Sequence, residues 1–320
     1  MQRASSQMVD IVRDFLAADR LMRDLLARYE QGRLRFEEVE ALVGDDERSV
    51  LFRLKEQCHA LFRGAPPPGQ GSLVRREALF DLAVGSLFHE AMKLRENLYQ
   101  ELVYRPKVQA LQRSEGAGDP IFAEFQKILD TASKRLAEAR PEVEALLAHT
   151  RAQFKTLIAA HRENGFVTRY LIANADLVED VFAGGIDALL GEIHGSPTAG
   201  YERAVMSYLA SGYFPEALRV LEGARARGFE SAAFPRLAAY ADGMQRYIEG
   251  RYPEAVERLE AWLGASPTAD ETGFARLALA AVQRIGEVGG SGGAERVAAA
   301  KLAARIAGVL EAASDDASGL

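Results

Sequence analysis

The side chains best equipped for chemistry are few: five histidines and one cysteine in 320 residues. Glu56-Gln57-Cys58-His59 sets a carboxylate and an imidazole three residues apart. On a helix both fall on one face, the spacing with which helical bundles hold paired metals, but such a centre needs the pair twice. Ser86, Leu146, Ile158 and Gly191 stand three residues before His89, His149, His161 and His194, so there is no second pair, and neither metal nor cofactor is expected. His89-Glu90 lacks the second histidine of a zinc-binding helix. Cys58 sits among apolar positions and reads as a small core residue. The remaining candidate is His149, in Leu147-Ala148-His149-Thr150-Arg151-Ala152, where an imidazole with a cation two residues on could carry a phosphoryl group. Gly289-Gly290-Ser291-Gly292-Gly293 follows a helical pattern and lacks a Lys-Ser/Thr pair, so it reads as a connection and not as a phosphate cradle.

The elements that must carry these residues are helices. Apolar residues recur at three- and four-residue spacing almost everywhere, and period-two alternation is hard to find, so the fold class is all-α. The first helix, about Ser6 to Tyr29, sets Val9, Ile11, Val12, Phe15, Leu16, Leu21, Leu25 and Leu26 against Asp10, Arg13, Asp14, Arg23 and Asp24. A short helix from Phe36 to Val43 follows, then a third capped by Asp45 or Asp46. Residues 64–72, rich in Pro and Gly, read as an exposed loop. The longest helix, 73–104, keeps a heptad, with Phe80, Leu87 and Leu94 in one series and Val84, Ala91 and Leu98 in the other. Extra apolar residues widen that stripe, which favours an inner bundle helix over a coiled coil. Pro106 is expected to kink or stop it, and Pro141 to open a new helix. Residues 1–195 therefore form an N-terminal helical bundle.

Beyond it lies an internal match. Gly212-Tyr213-Phe214-Pro215-Glu216-Ala217-Leu218-Arg219-Val220-Leu221-Glu222 recurs 38 residues later as Gly250-Arg251-Tyr252-Pro253-Glu254-Ala255-Val256-Glu257-Arg258-Leu259-Glu260. Glycine ends a helix, the aromatic fills the space between two helices, and proline starts the second at no hydrogen-bond cost. Two helical hairpins follow, and Thr268 with Glu271 makes a capping box for a third. The pattern resembles the tetratricopeptide repeat over about residues 198–269: Gly212, Phe214, Ala217 and Leu221 match one copy, and Gly243, Gly250, Tyr252, Ala255, Leu259 and Pro267 the next. Val205, Phe229 and Trp262 depart from it, standing where the family carries glycine, proline and alanine. The resemblance implies a short α-solenoid over 196–313, followed by a disordered tail, 314–320. It also implies a groove for a protein or peptide partner, lined by Glu202, Met206, Leu209, Tyr240, Met244 and Tyr247.

A net charge of −7 lacks the basic excess of a nucleic-acid protein, and no apolar run approaches the roughly 18 residues of a membrane span. One cysteine and no secretory leader fit a cytoplasmic protein, and seven Lys against 32 Arg fit a GC-rich bacterial genome. The reading is a non-catalytic cytosolic adaptor, binding through the groove, the heptad helix or both. Two alternatives stand beside it: a bundle using His149, similar to the histidine-phosphotransfer bundles although Ala152 replaces their glycine, and a homodimer joined through the heptad helix.

Overall fold

The computed structural model describes residues 2–63, 71–115, 120–264, 271–288 and 293–318, and the regular elements among them are all helices. Of the loop expected at 64–72, residues 64–70 lie outside the described residues, as do Thr268 and Pro267, whereas 71–72 are already helical. Contacts divide the chain into two compact units, Met1–Ile193 and His194–Leu320. No helix of the described residues is long and apolar enough to cross a membrane.

The first unit contains α1 (Gln2–Glu30), α2 (Phe36–Leu42), α3 (Val50–Arg63), α4 (Gly71–Tyr99), α5 (Arg105–Glu115), α6 (Pro120–Ala160), α7 (Gly165–Ala173), α8 (Ala175–Val181) and α9 (Gly185–His194). α4 packs against α3 and α6, and α1 against α3, α7 and α8. Four phenylalanines join these helices: Phe15 stacks on Phe154 with ring centroids 4.0 Å apart, Phe80 meets Phe15 edge-on at 5.8 Å, and Phe182 stacks on Phe154 at 5.9 Å. Each such pair contributes about 0.5–1.5 kcal/mol beyond its area.

Charge on α1 departs from a simple amphipathic split. Asp14 and Asp19 are buried with the apolar face, whereas Leu21 is 38% exposed. Asp14 accepts from Arg53 (3.3 Å) and Gln57 (3.0 Å) of α3, and Asp19 from Arg151 of α6 (2.7 and 2.9 Å). The cap of α3 is Ser49, whose Oγ accepts from the Phe52 amide, while Asp46 accepts from the Arg48 amide in the preceding turn.

Neither proline breaks its helix. Between Tyr99 and Arg105 the chain winds through a π turn, Gln100–Tyr104, in which the Arg105 amide donates to Gln100 O, five residues back. The wider turn carries the helical path into α5 past Pro106, which has no N–H to donate. α6 runs on through Pro141, on its exposed side, where water can satisfy the freed carbonyl. The heptad residues of α4 all face inward: Phe80, Val84, Leu87, Ala91, Leu94 and Leu98 are at most 3% exposed. That seam is consumed by the bundle, which takes up the apolar stripe that the heptad reading offered to a second copy.

The second unit contains α10 (Pro197–Ala210), α11 (Phe214–Ala226), α12 (Ala233–Ile248), α13 (Tyr252–Gly264), α14 (Thr272–Val288) and α15 (Gly293–Ser318). They pack in successive pairs, α10 on α11, α12 on α13 and α14 on α15. α10 begins where Ser196 caps the Ala199 amide and Pro197 takes the first turn. Gly212 (φ +76°) and Gly250 (φ +75°) take the left-handed conformation that closes each of the first two turns. Ala217, Leu221, Ala255 and Leu259 are buried between the helices, Phe214 is buried and Tyr252 half-buried. Helix α15 continues to Ser318, so residues 314–318 are helical where a disordered tail was expected; 319–320 lie outside the described residues.

Two predictions follow from this packing. A Cβ on Gly243 would lie 2.8 Å from Leu259 Cγ and 3.2 Å from Arg258 Cβ, with Leu259 fully buried. Gly243→Ala should cost about 1–3 kcal/mol, read as a lower denaturant midpoint at unchanged slope; an unchanged midpoint would show that the α12–α13 approach relaxes freely. Beside the π turn, desolvation pushes the Glu101 carboxyl up, but hydrogen bonds from Arg105 and Ser133 outweigh it and hold the group below the usual carboxylate range. Its stabilisation is therefore present above the ordinary carboxylate pKa and is lost as pH falls through the depressed value. Glu101→Gln should flatten the acid limb of the stability curve relative to the native chain, and an unaltered limb would refute this.

Candidate functional site

The six residues expected to line a groove divide into two sets. Leu209 and Tyr240 are fully buried and Met244 is 7% exposed, so these three belong to the core of the second unit and not to an open surface. The reason is aromatic packing. The Tyr240 ring stacks on Phe274 of α14 (5.0 Å) and meets Trp262 of α13 (5.2 Å) and Phe214 of α11 (6.2 Å). The large Trp262, where the family carries alanine, and Phe274 from the third pair fill the space at this position. Burial pushes the Tyr240 phenol upward, and its hydroxyl has no hydrogen-bond partner among the described residues. Glu202 is half-buried and accepts a hydrogen bond from the Ser231 hydroxyl in the α11–α12 connection, a structural tie between the first two pairs.

Met206 and Tyr247 keep partial exposure. Tyr247, at the end of α12, meets Tyr252, at the start of α13, with ring centroids 6.1 Å apart. Arg284 of α14 is held charged first by its bond to Glu287 and further by the neighbouring Tyr247 and Tyr252. Ile248, beside Tyr247 in sequence, is 63% exposed. The turn carrying this group is fastened by ion pairs: Asp242 accepts from Arg246 (3.0 Å) and Arg258 (2.9 Å), and Glu254 from Arg251 (2.8 Å). Two half-buried tyrosines at the helix ends, an exposed isoleucine and an exposed arginine on α14 include the aromatic and arginine side chains that concentrate binding energy at protein interfaces. Of these, Tyr247 was marked as a groove residue and Tyr252 as a structural one. Ile248 and Arg284 were missed: Ile248 looks like an ordinary apolar helix residue, and Arg284 lies on a pair that carries no motif.

The histidine chemistry resolves into local pairs. His59 Nδ1 lies 3.0 Å from Asp81 Oδ1, and His161 Nε2 lies 3.0 Å from Glu77 Oε1. Glu56 faces Lys55 at 3.9 Å, and no group of three metal-ligating side chains occurs among the described residues. Burial pushes the Cys58 thiol well up, which suits packing more than reactivity. His149 is exposed on α6, but Arg151 is two residues on, about 200° around the helix, where its Nε and Nη2 bond to Asp19. The cation that a phosphoryl relay would use is turned away from the imidazole.

Comparison with known proteins finds no matching family model, no matching curated protein and no matching solved structure.

The buried phenol yields a prediction. Tyr240→Phe removes an unpartnered hydroxyl while keeping the ring contacts, so the variant should be as stable as the native chain or more so. A loss above about 1 kcal/mol would mean that the hydroxyl has a partner.

Proposed function

We propose that the protein is a non-catalytic adaptor that binds a segment of another polypeptide at the α12–α13 turn and the adjoining part of α14. The observation that carries this reading is the Tyr247–Tyr252 pair with Ile248 left 63% exposed next to it, and Arg284 is within electrostatic reach of the two rings. Aromatic and arginine side chains supply most interface hot spots, because each offers a large, rigid contact area at small entropic cost. The ion pairs of Asp242 and Glu254 hold the turn before a partner arrives, which lowers the ordering penalty of association. Met206, half-buried on α10, offers a flexible apolar contact of the kind adaptable surfaces use. The resemblance to tetratricopeptide repeats supports a polypeptide as the ligand class, although the contact is moved from the inner face to the turn end.

Selection of linear peptides on the full chain tests the proposal. Selected peptides should bind saturably and lose at least about tenfold in affinity to Tyr247→Ala/Ile248→Ser, which corresponds to about 1.4 kcal/mol. Circular dichroism should show the double variant folded. Peptides that bind the folded double variant as tightly as the native chain, or a failure to select any, would overturn it. Phosphoramidate formed with a small phosphodonor and lost in His149→Ala would overturn the non-catalytic half.

A further inference from the structure

Helices α1 and α6 flank a cleft of about 360 Å3 into which three arginines converge, Arg23 from α1 and Arg140 and Arg151 from α6. Its floor includes Val143 and Leu147, and Glu144 is the acidic member of the lining. The α6 residues at 140, 144, 147 and 151 are spaced four, three and four apart, so they form one stripe along the helix.

The charges in this cleft are unevenly matched. Asp19 is fully buried and accepts from Arg151 through Nε (2.7 Å) and Nη2 (2.9 Å), and from Arg23 through Nε (3.0 Å). One carboxylate thus answers two guanidiniums and leaves one positive charge over, fixed in position by a buried anchor. Neither Arg151 Nη1 nor the two η nitrogens of Arg23 find an acceptor among the described residues, and Arg23 Nη2 is buried in that state. Arg140 is bound differently. Its partners are Glu30 (2.7 and 2.9 Å) and Glu144 (3.4 Å), both more than half exposed. Exposed pairs are worth about 0–1 kcal/mol, and the two-bond fork on Glu30 lies toward the upper end, so the acceptor that recruits Arg140 has to match both of its nitrogens.

Guanidinium is planar, keeps its charge and presents its donors as a fork that matches the paired oxygens of a carboxylate or a phosphate. We propose that this cleft is a binding site for the oxyanion group, phosphate or carboxylate, of a small molecule, with Arg23 and Arg151 as preorganised donors and Arg140 recruited from its surface pairs. The volume lies at the small end of ligand pockets, about 300–1,000 Å3, which suits a compact anion. The inference is independent of the polypeptide-binding reading, since it concerns the other unit of the chain.

The test is calorimetric titration of the full chain at low ionic strength with inorganic phosphate and, separately, with succinate. Saturable binding of either is expected, and the anion that binds identifies the oxyanion class. Arg140→Gln should weaken it about tenfold, and added salt should weaken it in the native chain. Arg23→Gln keeps the Arg151–Asp19 fork and should weaken it similarly. In the unsubstituted protein, the arginine side-chain NMR signals that shift with either anion should be those of Arg23, Arg140 and Arg151, which keeps the test informative if a variant is unstable. No saturable binding of either anion, equal affinity in both folded variants, or shifts confined to other arginines would overturn the proposal.

Discussion

A carboxylate removed from water has to be answered by cations and hydrogen bonds, and both units of this chain are organised around that constraint. Taking such a group out of water costs several kcal/mol, about 3–5 kcal/mol being lost when one partner of a buried pair is removed. In the first unit, Asp14 is answered by Arg53 and Gln57 of α3, and Asp19 by Arg151 of α6. One helix is thereby pinned in register against two others. In the second unit, the buried Glu271 takes Arg236 of α12 at 2.7 Å and the indole N–H of Trp262 of α13 at 3.3 Å. Hydrophobic burial supplies the bulk of the stability, but it is non-directional. These bonds fix how the helices are aligned.

The same residues account for the fate of the expected groove. Trp262 serves twice, as donor to Glu271 and as a face for the Tyr240 ring. Phe274 lies three residues beyond Glu271 and stacks on Tyr240. Once α14 is held to α12 through Arg236, the aromatic side chains close over the position where a guest residue would have entered. A partner surface must then come from residues that this core leaves out, and at the α12–α13 turn those are Tyr247, Ile248 and Tyr252.

Much of the helical architecture was legible because burial imposes a period on the sequence. The recurrence of Phe80, Val84, Leu87, Ala91, Leu94 and Leu98 marks an inner helix, and Gly212 and Gly250 mark turns because few other residues adopt positive φ. What was not legible depends on partners distant in the chain. Asp14 and Asp19 look like surface charges until Arg53 and Arg151 are brought to them, and Glu271 looks like half of a capping box until Arg236 claims it. Pro106 and Pro141 look like breaks because a local rule cannot anticipate a π turn or an exposed helix face that absorbs the lost bond. Tyr240 was expected to line a groove. Its burial is decided by Phe274, 34 residues on, and by a tryptophan that the family does not carry.

A chain with a net charge of −7 does not obviously favour an anion, but net charge is the wrong measure at this range. At physiological ionic strength the Debye length is about 8 Å, so exposed acidic groups beyond that distance contribute little to the potential inside a cleft. The nearby groups are three guanidiniums and three carboxylates: Asp19 is shared between Arg23 and Arg151, while Glu30 at 2.7 Å and Glu144 at 3.4 Å are both on Arg140. Asp19 is fully buried, whereas Glu30 and Glu144 are more than half exposed and screened by water, so the two kinds of carboxylate do not neutralise equally. Asp19 positions its arginines more than it silences them: a single negative charge cannot cancel two positive ones. The constraint that aligns α1 with α6 thus also leaves guanidinium donors without an acceptor at their junction, beside carboxylates that are unequally screened, and structural pairing and the proposed anion recognition rest on the same guanidiniums.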